Sequence, residues 1–374
     1  MTLEQTQPRK HEDTRQTPIK SSSWLGVFVV ALLAGATLES QPAVPGHDWE
    51  SIDKPETAGF SSQRLAAVRA WVSTLDTTAM MVVVGGRTLF SYGDVTHLSY
   101  LASGRKSVLS LLYGRYVENH TIAPERTLAD LKFTDVGGLL PIELDASVGH
   151  LLTARSGVYH PASNGGDDLA HAPPRGSQKP GTRFLYNNWD FNAAGAVFER
   201  LTGRDIYEAL ETDLARPLGM QDFDRARQVK SGDLAASQYP AYPIWLSTRD
   251  MARVGLLALR AGRWGDRQLV PAEWIARTTA LISPLADMDA AFDDSPPTVG
   301  RWGYGYLWWV WDARDASDPL AGAFTAWGVG GQYITVVPKL DMVIAHKTDT
   351  ANRRTVSARQ YDVALRMLVA AAGR

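Results

Sequence analysis

Within the stretch Leu101 to Gly114, LASGRKSVLSLLYG, a serine and a lysine stand three residues apart at Ser103 and Lys106. On a helix that spacing puts both side chains on one face, within reach of each other, which is the S-x-x-K arrangement of acyl-transfer enzymes. A serine hydroxyl is a poor nucleophile until a base takes its proton. An amine in a cationic, partly desolvated helix start has its pKa pushed down, so a neutral lysine can be that base. The same residues are open to a plainer reading, in which Ser103 caps a helix and Lys106 lies in solvent. A second copy, Ser51-Ile52-Asp53-Lys54, sits in a polar, proline-flanked stretch with no helix after it and is set aside.

With Leu101-Ala102 before the serine and a strongly apolar run after it, this stretch resembles the serine β-lactamase and penicillin-binding protein superfamily, in which such a serine opens a central helix. The superfamily's second motif is Tyr-x-Asn, and Tyr186-Asn187-Asn188 in FLYNNWDFNAAG matches it. The resemblance implies that Tyr186 moves protons between nucleophile and leaving group, and that Asn188 orients the substrate or the lysine. The third motif, Lys-Thr-Gly or His-x-Gly on a strand beside the cleft, is matched by Ala326-Trp327-Gly328, followed by Val329-Gly330-Gly331-Gln332. Its cation is gone, which argues against recognition of a substrate carboxylate such as a penicillin's, and Trp327 in that place favours neutral esters or amides. Gly328 and Gly330 allow close approach of a substrate backbone, and the Val329 amide falls where the family has its second oxyanion donor beside that of Ser103. Lys347-Thr348 follows a strand but lacks the glycine.

The likeness extends over nearly all of residues 50–370. Leu151 to Gly157 (LLTARSG) looks like the family's Leu-Leu-x-His-x-Ser-Gly loop, and LARPLGM and STRDMARVGLLALRAGRW look like its later helices. The branch most similar holds class C type β-lactamases, family VIII esterases and 6-aminohexanoate-dimer hydrolases. No counterpart of the class A deacylating glutamate is found, so Lys106 and Tyr186 would serve both half-reactions. The implied activity is hydrolysis of small esters or amides through a Ser103 acyl-enzyme. Alternatives are a β-lactamase, a D-amino-peptide hydrolase, or a non-catalytic sensor or binding homologue that keeps the fold.

The elements that must carry these residues are legible in part. Ser61 to Leu75 has cap-type serines and apolar residues at helical spacing. Ala79 to Val84 and Thr88 to Tyr92 flank Gly85-Gly86 as a hairpin. Lys106 to Asn119 has the pattern of a buried helix, and a mostly helical middle is expected to about residue 260, with Gly/Pro-rich loops such as 160–181. Strands are expected at Gly305 to Trp311, Tyr333 to Val337 and Met342 to His346, and a closing helix at Thr355 to Ala372. The order implies an α/β (α+β) fold: an antiparallel sheet built from both chain ends and flanked by helices, with an inserted, mostly helical lobe at about 105–260. Residues 1–45 read as leader and linker, and 46–374 as the hydrolase domain.

Composition sets the outer limits. A formal net charge of −2 without blocks of like charge gives no field for nucleic acid, so a small ester, amide or lactam is the expected partner. Nothing in the composition sets an oligomeric state. The absence of cysteine excludes disulfides and a thiolate nucleophile, and the eight histidines show no metal-ligand spacing. No metal or cofactor is expected. Trp302, Trp308, Trp309, Trp311 and Trp327 read as core, with an apolar acyl pocket as the other option. His160 and His171 read as loop residues, and the acidic stretch 287–295 as a solvated loop or lid. Trp24 to Leu38 (WLGVFVVALLAGATL), after a polar leader containing Arg9, Lys10, Arg15 and Lys20, has signal-peptide layout. As a helix it would reach roughly 22 Å, short of a hydrocarbon core of about 30 Å. Export to the periplasm or exterior is therefore expected, with membrane anchoring by residues 24–38 as the alternative.

Overall fold

The computed structural model describes residues 44–288 and 299–373. The candidate export segment 24–38 and most of the acidic stretch 287–295 lie outside the described residues.

An antiparallel sheet of 7 strands forms the backbone of the fold. In chain order its strands are β1 (Ala79–Val84), β2 (Arg87–Gly93), β3 (Trp302–Tyr304), β4 (Trp309–Trp311), β5 (Phe324–Gly328), β6 (Gln332–Val337) and β7 (Met342–Lys347). Their spatial order is β2-β1-β7-β6-β5-β4-β3. The first and last parts of the chain thus meet in mid-sheet, where Ala79 pairs with Lys347 and Val84 with Met342. β1, AMMVVV, is buried at every position because helices cover both faces, which is why its sequence is a continuous apolar run rather than an alternation.

The helices are α1 (Ser62–Val72), α2 (Arg105–Glu118), α3 (Val148–Leu152), α4 (Asn188–Thr202), α5 (Thr248–Leu259), α6 (Ala272–Thr278) and α7 (Ala358–Ala371), beside shorter turns. α1 begins where Ser61 accepts a hydrogen bond from the Arg64 amide, and α7 where Ser357 and Gln360 form a reciprocal capping box. α1 and α7 pack together, and Tyr361 of α7 lies flat on Tyr333 at 3.7 Å and meets Thr335 at 2.6 Å, so α7 covers the face that carries these side chains. α5 covers the opposite face so closely that a methyl on Gly255 would come within 2.4 Å of Val343.

The expected hairpins at 79–92 and 333–346 and the helices near 61–75, 106–119 and 355–372 are present within a few residues. Two expectations need correction. The run Gly305 to Trp311 is not one strand: β3 and β4 are a hairpin whose turn holds Leu307 at φ +65, with Gly305 against the carbonyls of Thr278 and Ala280. The middle of the chain is also less helical than its apolar content implied. Long irregular stretches separate α2, α3, α4 and α5, and their buried carbonyls and amides are satisfied by side chains such as Asp135, which accepts from Trp189, Ser237 and the Gln238 amide. The apolar residues buried there carry no helical period.

Candidate active site

α2 is buried almost all round, and between Leu101 and Gly114 Ser103 alone is not buried. Its Oγ does not cap the helix, since neither the short turn Ala102–Gly104 nor α2 has a side-chain cap. Instead Lys106 Nζ donates to Ser103 Oγ at 2.9 Å. The plainer reading of serine as cap and lysine as solvated residue is therefore not what the fold builds. Lys106 is 2 % exposed. Three other buried polar residues of this helix are tied to the surrounding structure: Ser107 donates to the Leu307 carbonyl at 2.6 Å, Ser110 to that of Tyr306 at 2.8 Å, and Arg105 Nη2 to Asn192 at 3.0 Å. Ala102, just before the nucleophile candidate, has φ +50, a left-handed conformation that a non-glycine residue takes only when its surroundings impose it.

Tyr186 comes to the same point from the other side of the site. Lys106 Nζ donates to its hydroxyl at 2.6 Å, and the amine lies 4.3 Å from the ring centres of both Tyr186 and Phe191. The segment holding Tyr186 is set by the Leu151–Gly157 loop and its continuation. The Leu185 amide donates to the Ala154 carbonyl at 2.9 Å, Asn187 Nδ2 to that of Val158 at 2.6 Å, and Ser156 Oγ to Asp190 at 2.6 Å.

Burial, and then the neighbouring Arg105 charge, push the Lys106 amine well below an ordinary lysine, while Asp167 and Asp168 pull the other way. The aromatic faces also favour the charged form, but desolvation is the largest effect. Burial raises the Tyr186 phenol above its usual range, against opposing contributions from Ser103 and Arg105. Lys106 is thus the group whose proton is the more easily lost, while burial holds Tyr186 as a phenol.

The third stretch arrives on β5. Its ladder with β4 stops at Thr325, and Gly328 lies against the turn carrying Ser103. A β-carbon on Gly328 would stand 2.3 Å from the Leu101 carbonyl oxygen and 3.1 Å from Ala102 Cβ, so only glycine permits this approach. Val329 follows and is 74 % exposed. Gly330 has φ +83. Trp327 is half-buried between Trp309, 5.4 Å away, and Tyr333, 5.7 Å away, and Trp309 itself stacks on Tyr186 at 5.3 Å. Trp302, Trp308, Trp309 and Trp311 are buried as expected of core, with Trp309 also forming a wall behind Tyr186.

Asn188 is placed differently from the role the resemblance implied. It is buried, its Nδ2 donates to the Gly165 carbonyl at 2.8 Å, and its Oδ1 has no partner among the described residues. Together with Asn192, which donates to Asn164 at 2.8 Å, it ties the loop 163–168 to α4. That loop brings in two residues the sequence reading missed. Asp167 accepts from the Asn188 amide at 2.8 Å, and the Asp168 amide donates to the Tyr186 carbonyl at 2.9 Å. Burial and the Asp167 charge raise Asp168 to about 6. The Gly165-Gly166-Asp167-Asp168 turn was visible as sequence, but nothing local tied it to Lys106.

Because the Asp168 charge holds a proton on Lys106, Asp168→Asn is expected to lower the lysine pKa. The acid limb of the kcat/KM profile should then move to lower pH, and a limb that stays or moves up would contradict this placement. His171 is exposed, as a solvated loop residue would be, but His160 is buried, with its ring nitrogens 2.8 Å from the carbonyls of Pro161 and Val136. Among the described residues no group of three or more His, Cys, Asp or Glu could hold a metal ion.

The family model Beta-lactamase matches residues 68–366. The chain belongs to the Beta-lactamase family. Its architecture is the β-lactamase/DD-peptidase-like fold, and the family is one of serine hydrolases. Among solved structures the chain is similar to a protein of Bacillus anthracis assigned as a 6-aminohexanoate-dimer hydrolase, at 19 % identity and TM-score 0.62, covering 87 % of each chain. It is also similar to EstCE1, a hydrolase with promiscuous acyltransferase activity, at 15 % identity and TM-score 0.59 over 86 % of this chain and 99 % of that one. A penicillin-binding protein homologue from Caulobacter crescentus matches at 16 % identity and TM-score 0.58, over 84 % and 99 % of the two chains. These identities establish a shared fold within the Beta-lactamase family.

Proposed function

We propose that this Beta-lactamase family member hydrolyses small neutral esters or amides through an acyl-enzyme on Ser103. The observation that carries the reading is the pairing of Ser103, alone not buried in its stretch, with a buried lysine 2.9 Å away whose amine is held below its ordinary range. Ser103 Oγ attacks the carbonyl carbon while its proton passes to neutral Lys106. The amides of Ser103 and Val329 hold the oxyanion. As the tetrahedral species collapses, the proton reaches the leaving alcohol or amine by way of Lys106 and Tyr186. Water then attacks the Ser103 ester with the same two groups taking its proton and returning it to Oγ. Trp327 and the absent third-motif cation support neutral substrates over carboxylate-bearing lactams.

Hydrolysis of a short-chain nitrophenyl ester and of a chromogenic cephalosporin by the full chain, beside Ser103→Ala, tests the reading. Ester turnover abolished in the variant is the expected result, with the cephalosporin rate separating esterase from β-lactamase. Ester turnover that survives Ser103→Ala would remove Ser103 as nucleophile. If neither substrate reacts, amide oligomers come next, and then a sensor role.

A further inference from the structure

The three-residue turn Val329–Gly331 between β5 and β6 is held by more than its own hairpin. The Gly330 carbonyl accepts from the Val356 amide at 2.9 Å and from Thr348 Oγ1 at 2.7 Å. The Gly331 carbonyl meets His346 Nδ1 at 2.7 Å. Thr348 Oγ1 in turn accepts from Gln332 Nε2 at 2.6 Å, and His346 Nε2 lies 2.9 Å from Thr77 Oγ1. His346, Thr348 and Gln332 are all buried. A carbonyl only accepts, so His346 Nδ1 carries the ring proton and Nε2 accepts from the Thr77 hydroxyl. Burial holds the imidazole down to about 4, so this tautomer persists through the neutral range. Packing reinforces the hold: Gly331 has φ +107, and a β-carbon there would stand 2.9 Å from Thr348 Cγ2.

Turn carbonyls at a sheet end are ordinarily left to water. Here two consecutive ones are gripped by buried side chains of β7 and the residue after it. On the other side of Val329, Gly328 is pressed on the Leu101 carbonyl. Val329 is thus fixed through its backbone at both ends while its side chain is left in solvent, an arrangement suited to a working main-chain amide rather than a working side chain.

We infer that Thr348 and His346 are positioning residues for acyl transfer, fixing the Val329 amide at its distance from Ser103 by gripping the Gly330 and Gly331 carbonyls. The inference rests on the acyl-transfer reading above. Because an oxyanion exists only along the reaction path, loosening the grip acts on the transition state and leaves ground-state binding alone.

The test is steady-state hydrolysis of the nitrophenyl ester by the full chain, with Thr348→Val, which removes the hydroxyl at constant shape, and Thr348→Ser, which keeps it. Misplacing one oxyanion donor is expected to lower kcat about 10- to 100-fold in Thr348→Val, with KM within about twofold, and Thr348→Ser should recover most of the loss. Wild-type kcat in Thr348→Val, or a raised KM with unchanged kcat, overturns the inference. If Thr348→Val does not fold, Thr77→Val carries the test, since it removes the hydroxyl that donates to His346 Nε2 and braces the ring against the Gly331 carbonyl. There kcat should fall several-fold at constant KM, and an unchanged kcat overturns the inference. A wild-type chain that turns over no ester counts against the hydrolase reading itself, whereas active wild type with an indifferent Thr348→Val counts against the grip alone.

Discussion

Lys106→Met is expected to lower kcat/KM for an ester substrate by about 10²- to 10⁴-fold, the range of a lost general base. Methionine fits the site physically, because the amine it replaces lies between the apolar faces of Tyr186 and Phe191. The loss should therefore arrive without unfolding, and the direction of the stability change is itself informative. The folded-state lysine pKa is depressed below the unfolded value of about 10.4, so over the interval between them the unfolded chain binds a proton that the native chain does not. Stability contributed by this site rises with pH across that interval and is lost below it. Removing the amine removes that dependence, and Lys106→Met should melt at or above the wild-type temperature at neutral pH. In the pH profile, the acid limb set by Lys106 should disappear. Near-normal turnover with an unchanged acid limb would show that some other group takes the Ser103 proton.

Gly328→Ala is the second change with a large expected effect. The added carbon would stand 2.3 Å from the Leu101 carbonyl and 2.9 Å from Gln332 Cβ, and the first of these is backbone that no rotamer change can clear. Either β5 or the Ser103 turn must move. A shift of about 1 Å at reacting groups costs about 10²-fold in rate, and forcing an extra carbon into a filled space costs about 1–3 kcal/mol of stability. Turnover and urea unfolding measured on one preparation should show both. Activity within about threefold of wild type would mean that the contact between β5 and the Ser103 turn does not set the reactive geometry.

Much of this arrangement is legible in the residues themselves. The Ser103–Lys106 spacing, the unbroken apolar run of β1 and the turn chemistry of the end hairpins report local geometry, which short-range periodicity encodes. What escaped was set by contacts distant in sequence. Asn188 is committed to Gly165 by the path of loop 163–168, and the Asp168 charge matters only because that loop returns beside Tyr186. The division of Gly305 to Trp311 into a turn and a strand depends on Gly305 meeting the Thr278 carbonyl. In the middle of the chain, burial comes from side chains serving irregular backbone, so apolar content there carries no period to read.

The pairing of β1 with β7 has a consequence for the chain as it is made. The Ser103 turn and its lysine are complete within the first third of the sequence, but Gly328 and the Val329 turn are supplied by the last, and the sheet that unites them closes only when Lys347 can meet Ala79. A nascent chain therefore carries the Ser103 turn without the strand that packs against it until residue 347 has been made. Such end-to-end pairing is slow to form, since the loop it closes spans most of the chain.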